Sequence, residues 1–176
     1  NRRWLMRSGA QATNPGRKNP EMIEPAGPVD PDVALIAVLS PDGVLRGCIT
    51  NFACHCTVMS GTRFSGDYPA YWQKTLRQHL GDEVTMVFLN GACGDINQID
   101  FSRDDRRESG SEWAAAMGSA LAQTTLATLN GLTPEDNPRI CSAHGHTEVA
   151  YRHPSPEQLA EDKRTLDEPE AEGKSA

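Results

Sequence analysis

No apolar run in this chain approaches the roughly 18 to 20 residues that a membrane helix requires, so no transmembrane segment is expected. Basic clusters are also missing. Seventeen Lys and Arg stand against 24 Asp and Glu, a net charge of −7, and the positive residues are scattered. Nucleic acids and anionic membranes need grouped cations to displace their counterions, so neither is an expected partner. The one basic-leaning segment, Arg2, Arg3, Arg7, Arg17 and Lys18, is interrupted by Gly and Pro and reads as loop. A disulfide framework is lacking too. Cys48, Cys54, Cys56, Cys93 and Cys141 are odd in number and sit inside apolar runs, the pattern of reduced, buried thiols. There is no internal repeat. The first residue is Asn1, not Met, so the chain is expected to be a fragment of a longer protein, and its compartment is not legible.

What is present suffices for one α/β domain. A length of 176 residues with 38% hydrophobic content can bury a real core, and two full domains are not expected. Residues 1–32, rich in Pro, Gly and Asn, predict an extended covering segment with several turns. Residues 33–39 and 45–56 form two apolar runs about a Pro41-Asp42-Gly43 turn signal and predict a β-hairpin. Regular alternation along the second strand would place Leu45, Ile49, Ala53 and His55 on one face. Cys48, Phe52, Cys54 and Cys56 would then lie on the other, as core.

Asp67 is expected to cap a helix with Pro69 in its first turn and an apolar stripe of Tyr68, Trp72, Leu76 and Leu80, ended by Gly81. Residues 84–89 predict a central strand covered on both faces, and strand, helix and strand together suggest a βαβ unit. Ser109 and Glu112 have capping-box spacing ahead of a helix over 113–129, stopped by Asn130-Gly131. A strand over 140–151, a second capping box from Ser155 to Gln158, a last helix and an acidic tail over 167–176 complete the reading. The expected fold is therefore a mixed β-sheet flanked by helices, with an α/β core over 33–166.

Residues 51–97 hold most of the candidate chemistry, because polar groups there follow directly on apolar segments. His55 at a strand end can be a structural hydrogen-bonding residue or a zinc ligand, and the second role needs two or three further ligands. His144 and His146 share a spacing that would put both imidazoles on one side of a strand, with only His153 nearby as a third. In residues 90–97, two glycines permit a tight turn from which Asp95 and Asn97 could present side chains, or the stretch is an ordinary Asn-Gly turn.

Taken together, several of these motifs resemble the N-terminal catalytic domain of the neutral/alkaline, non-lysosomal ceramidase family and its bacterial relatives. They are the Asn1-Arg2-Arg3 start, S-P-D-G-V-L-R-G, N-F-A-C-H-C-T, S-G-D-Y-P-A-Y, F-L-N-G-A-C-G-D-I-N and Y-R-H-P-S-P-E-Q-L, covering nearly the whole chain. The resemblance implies part of a larger catalytic domain: a zinc-dependent hydrolase of an amide bond in an N-acyl or lipid-like substrate, of sphingolipid type. It implies one zinc with His55 as a ligand, the others outside this chain, Arg2 near the substrate's polar head, and Asp95 lining the pocket. Relatives of this kind are often secreted or periplasmic. Asn97 and Gln98 stand where the family carries a serine followed by proline. An asparagine amide can donate to an oxyanion but cannot act as a nucleophile. The alternative expectation is a non-catalytic binding or structural relative that retains the fold. A redox or thiolate-metal protein built on Cys54 and Cys56 would require both thiols to be reactive and exposed.

Overall fold

The computed structural model describes residues 1–151 and 153–167. They fall into two compact units, Asn1–Glu135 and a second that starts at Asp136. In chain order the first unit holds β1 (Arg3–Met6), β2 (Gln11–Thr13), β3 (Met22–Pro25), β4 (Val33–Leu39), β5 (Leu45–Phe52), α1 (Asp67–Leu80), β6 (Thr85–Asn90) and α2 (Ser111–Gly131). Two sheets and their flanking helices make this an α/β fold, with a mixed sheet at its centre.

Residues 1–32 are more ordered than a covering segment with turns. Three short strands pair antiparallel in the order β2-β1-β3. The turn between β1 and β2 closes through Gly9, at φ 81, whose N–H donates to the Met6 carbonyl at 2.8 Å.

The second sheet has the order β4-β5-β6, antiparallel across β4 and β5 and parallel across β5 and β6. The expected hairpin and the βαβ unit both form, since α1 links the parallel pair. One detail of the alternation does not hold. Val38 pairs with Gly47 and Leu39 with Leu45, so Arg46 is an extra residue in the ladder. A bulge of this kind shifts the face of everything before it, and Leu45 packs against the core alongside Cys48, not opposite to it. β5 also ends at Phe52, so period-2 reasoning does not reach Cys54, His55 or Cys56.

α1 buries its stripe as its spacing requires. Tyr68, Trp72 and Leu76 are fully buried, and edge-on aromatic contacts join Tyr68 and Trp72 to Phe88, with ring centroids 5.7 and 5.6 Å apart. The Trp72 indole N–H donates to Thr125 Oγ1 at 3.1 Å, so a polar atom in the core is satisfied across the two helices. Asp67 does not cap the helix. It is the first helical residue, buried, at φ 53; its Oδ1 accepts from the Tyr68 N–H and its Oδ2 from the Met59 N–H, both at 2.8 Å. Aspartate tolerates this left-handed conformation better than most residues, and here the carboxylate ties the preceding loop to the helix.

α2 begins at Ser111, two residues before the expected start, and runs through Asn130 and Gly131. The Ser109–Glu112 capping box does not form. Ser109 Oγ instead accepts from Arg107 Nε at 3.1 Å, and Gly110, at φ 88, precedes the helix with its N–H on the Val58 carbonyl. The two helices cross closely at Gly118: a β-carbon there would lie 2.5 Å from the Tyr68 carbonyl oxygen and 2.6 Å from the Trp72 nitrogen.

β6 is not a central strand. β5 occupies the middle, and only one face of the sheet is covered by the helices. On the other face Ile36, Val38, Val87 and Leu89 are exposed. The continuous apolar run that suggested two covered faces therefore describes a strand whose outer residues meet no other element among those described.

In the second unit, the expected strand over 140–151 is absent. Ile140, Val149 and Tyr151 are exposed, and an extended segment becomes a strand only when a neighbour takes its backbone hydrogen bonds. The capping box does form there: Ser155 N–H donates to Gln158 Oε1 at 3.1 Å and Gln158 N–H to Ser155 Oγ at 3.2 Å, opening α3 (Pro156–Asp167). The acidic tail expected over 167–176 lies, from residue 168 on, outside the described residues. No described helix is long and apolar enough to cross a membrane.

Candidate functional site at the strand ends

β5 and β6 run parallel and end side by side, Phe52 opposite Asn90, so the loops that follow them emerge at one edge. In α/β sheets, this carboxyl edge is where ligands commonly bind. The loop after β6 is held against β5. Gly91 donates to the Phe52 carbonyl at 3.0 Å, and a β-carbon at Gly91 would lie 3.1 Å from Ala53 and from Asn51 Oδ1. Only glycine permits that approach without displacement. A turn from Cys93 to Ile96 then brings the Ile96 carbonyl to the His55 N–H, at 3.2 Å.

The N-terminal strand segment joins the same loop. Arg2 N–H donates to the Asp95 carbonyl at 2.7 Å, and its guanidinium to the Gly94 carbonyl at 2.9 Å from Nη2. Asn1 Nδ2 reaches Asp95 Oδ2 at 2.8 Å. Asn97 Nδ2 donates to Asn14 Oδ1 at 3.2 Å while its Oδ1 accepts from the Ile99 N–H at 3.1 Å. Arg2, His55, Asp95 and Asn97, about 95 positions apart in chain order at the extremes, are thus all attached to one loop; each is half-buried.

His55 has a second notable feature. Its Nδ1 is shielded from solvent and has no hydrogen-bond partner. A neutral imidazole nitrogen in that condition suits a metal ion or a substrate proton as its partner. No group of three His, Cys, Asp or Glu that could hold a metal ion occurs among the described residues. His144 and His146 lie in the second unit, exposed and not on a strand.

The cysteines divide by position. Cys48 and Cys54 are buried, and burial pushes the Cys54 thiol up to about 12. Cys56, expected in the core, is exposed, because the strand that would have oriented it has already ended. All five thiols are free.

Glu108, by its sequence one more charge in a polar loop, is the centre of a buried cluster. Its side chain is only 1% exposed. Oε2 accepts from Arg17 Nη2 at 2.9 Å and from the Asp100 N–H at 2.8 Å, and Oε1 accepts from Arg106 Nε at 3.0 Å. This carboxylate joins the N-terminal segment, the loop after β6 and the approach to α2. The Ser102 hydroxyl on Asp100 holds that carboxyl below its usual range. Glu108 carries no periodicity or motif that would have marked it as buried.

Comparison of the chain with known protein families, with curated proteins and with solved structures finds no match in any of the three.

Proposed function

We propose that this chain supplies one wall of the catalytic centre of a zinc-dependent amide hydrolase of ceramidase type, acting on an N-acyl or lipid-like substrate. The observation that carries the proposal is the gathering of Arg2, His55, Asp95 and Asn97 on the loop after β6, with the buried His55 Nδ1 left without a partner. The resemblance implies roles for Arg2, His55 and Asp95, which are distant in sequence, and Asn97 stands where the family carries a serine. Zinc, when bound, lowers the pKa of coordinated water to about 7 and polarises a carbonyl. Within this chain, His55 would contribute one ligand. Arg2, fixed by the Gly94 carbonyl, would place a positive charge near the substrate's head, and Asn97 would offer an amide donor to a developing oxyanion.

One feature favours the second reading, a relative that keeps the fold for binding: residues 94–98 carry no hydroxyl or thiol, and Asn97 has both ends of its amide engaged within the chain. Elemental analysis of the purified full-length protein, unaltered and as His55→Ala, separates the two. One zinc per chain that is lost or strongly weakened in the variant, together with turnover of N-acyl amides, supports the hydrolase. Absence of zinc, or zinc indifferent to His55, removes it in favour of the binding relative.

A further inference from the structure

The face of the β4-β5-β6 sheet turned away from the helices is built of three cross-strand rows. Ile36, Ile49 and Val87 form the middle row. Val38, Gly47 and Thr85 lie on one side of it, and Ala34, Asn51 and Leu89 on the other. Cys48 and Thr50, buried on the helix side, fix this assignment, since neighbours along a strand point to opposite faces. None of these positions carries a charge. Ile36 is 63% exposed, Val38 51%, Leu89 48% and Val87 39%. Parallel pairs such as β5 and β6 are ordinarily covered on both faces, and an exposed apolar patch above about 400 Å² marks an interaction surface.

Three properties of the rows point to a second copy as the occupant. The first is size. The exposed part of the face is roughly 600 Å², so two copies together bury about 1,200 Å², which reaches the lower bound of specific interfaces. The second is shape. When two sheets stack face to face about a two-fold axis that crosses the strands, each strand lies over its own copy and the outer rows exchange. Large side chains then meet small ones: Val38 the partner's Ala34, Leu89 the partner's Thr85, and Asn51 the partner's Gly47, while the middle row meets itself. Asn51 is not left unpaired there, because its Nδ2 donates to the Leu89 carbonyl at 3.2 Å. The third is charge. With a net charge of −7, two copies repel one another, and an uncharged face is where that repulsion is least.

We propose that this face joins two copies of the chain in a symmetric β-sandwich. The strands of the two copies run in opposite directions across the joint, so their carboxyl edges emerge at opposite ends and the loops after β5 and β6 stay open in both. The proposal does not rest on the hydrolase reading, because it concerns a sheet face away from the strand ends and is read without turnover.

Sedimentation equilibrium of the full-length protein, over about 1 to 100 μM, measures its mass. A dimer with a dissociation constant of about 1 to 10 μM is expected, as suits an interface of this modest size. Ile36 meets its own copy on the outermost strand, so Ile36→Glu sets like charges against each other and should weaken association at least about a hundredfold. Ile36→Lys should do the same. An equimolar mixture of the two variants pairs opposite charges, and association should return to within about tenfold of the unaltered protein. A general loss of folding would not be repaired by mixing, and because Ile36 is exposed in the single copy, each variant should keep the circular dichroism of the unaltered protein. Leu132→Glu, at an exposed apolar residue off the sheet, is the control and should leave the mass unchanged. A monomer throughout the range, which would leave the face to another part of the protein or to a different protein, would overturn the proposal. So would a dimer indifferent to both Ile36 variants, or a mixture that associates no better than either variant alone.

Discussion

Replacing Gly118 by alanine should destabilise the first unit, although alanine is the better helix former. In a helix interior the change from Gly to Ala is worth about 1 kcal/mol in favour of folding. At Gly118 the added methyl meets the Tyr68 carbonyl oxygen at 2.5 Å, the Trp72 nitrogen at 2.6 Å and the Tyr71 Cβ at 2.6 Å, so two of the three obstacles are backbone atoms that cannot swing aside. Ordinary contact begins nearly 1 Å farther out, so α1 and α2 must separate. That movement loosens Tyr68, Trp72, Ala114, Leu121 and Ala122, all buried. Overpacking usually costs about 1 to 3 kcal/mol, and rigid obstacles place this case near the upper end, for a net loss of about 2 kcal/mol. Urea unfolding followed by tryptophan fluorescence measures it, with an unchanged slope and a lower midpoint expected. For a chain of this size, the same loss lowers the melting temperature by about 4 to 8 °C. Gly131→Ala is the comparator, because nothing lies within 4 Å of a methyl there. It should be neutral or slightly stabilising. A Gly118→Ala protein as stable as the unaltered one would mean that the helices do not cross as closely as described, and would refute the reasoning.

Three further outcomes test other parts of the fold. Asp67→Ala should cost about 3 kcal/mol, since it strands the Met59 and Tyr68 N–H groups and places alanine at a positive φ, whereas Asp67→Asn should cost only about 1 kcal/mol; equal losses in chemical denaturation would contradict the role given to the backbone conformation. Among the thiols, Cys141 should react fastest with a disulfide reagent near pH 8, Cys56, accessible but with its thiol pushed up by desolvation, more slowly, and Cys48 and Cys54 only after unfolding; Cys141→Ser should remove the fast phase. The Cys54 thiol also has a pH signature. Its folded value is raised from 9.0 to about 12, so the unfolded chain ionises first and stability falls as pH rises between those values. A stability profile flat across that window, or one that rises with pH, would contradict the burial of Cys54.

Local pattern was sufficient for elements whose partners are close in sequence. The stripe Tyr68, Trp72, Leu76, the hairpin about Gly43 and the Ser155–Gln158 box were legible because each is decided within a turn or two of chain. His55, Asp95 and Asn97 were legible as polar groups following apolar segments, whereas Arg2 was named only through the resemblance; what joins them is a set of backbone hydrogen bonds between Arg2, the 94–97 loop and His55.

Tertiary structure alone decided the rest, for a common reason: burial and pairing depend on what another segment brings. Cys56 shares its apolar run with Cys54, but the strand ends before either, and only Cys54 is covered. Residues 140–151 have the composition of a strand and no described partner to make them one. Glu108 lies among exposed charges in sequence, yet Arg17, from the far end of the chain, converts it into a buried anchor. The sequence by itself determined which segments could be helix, strand or rim; the contacts between distant segments determined which of those possibilities became core, edge or cleft.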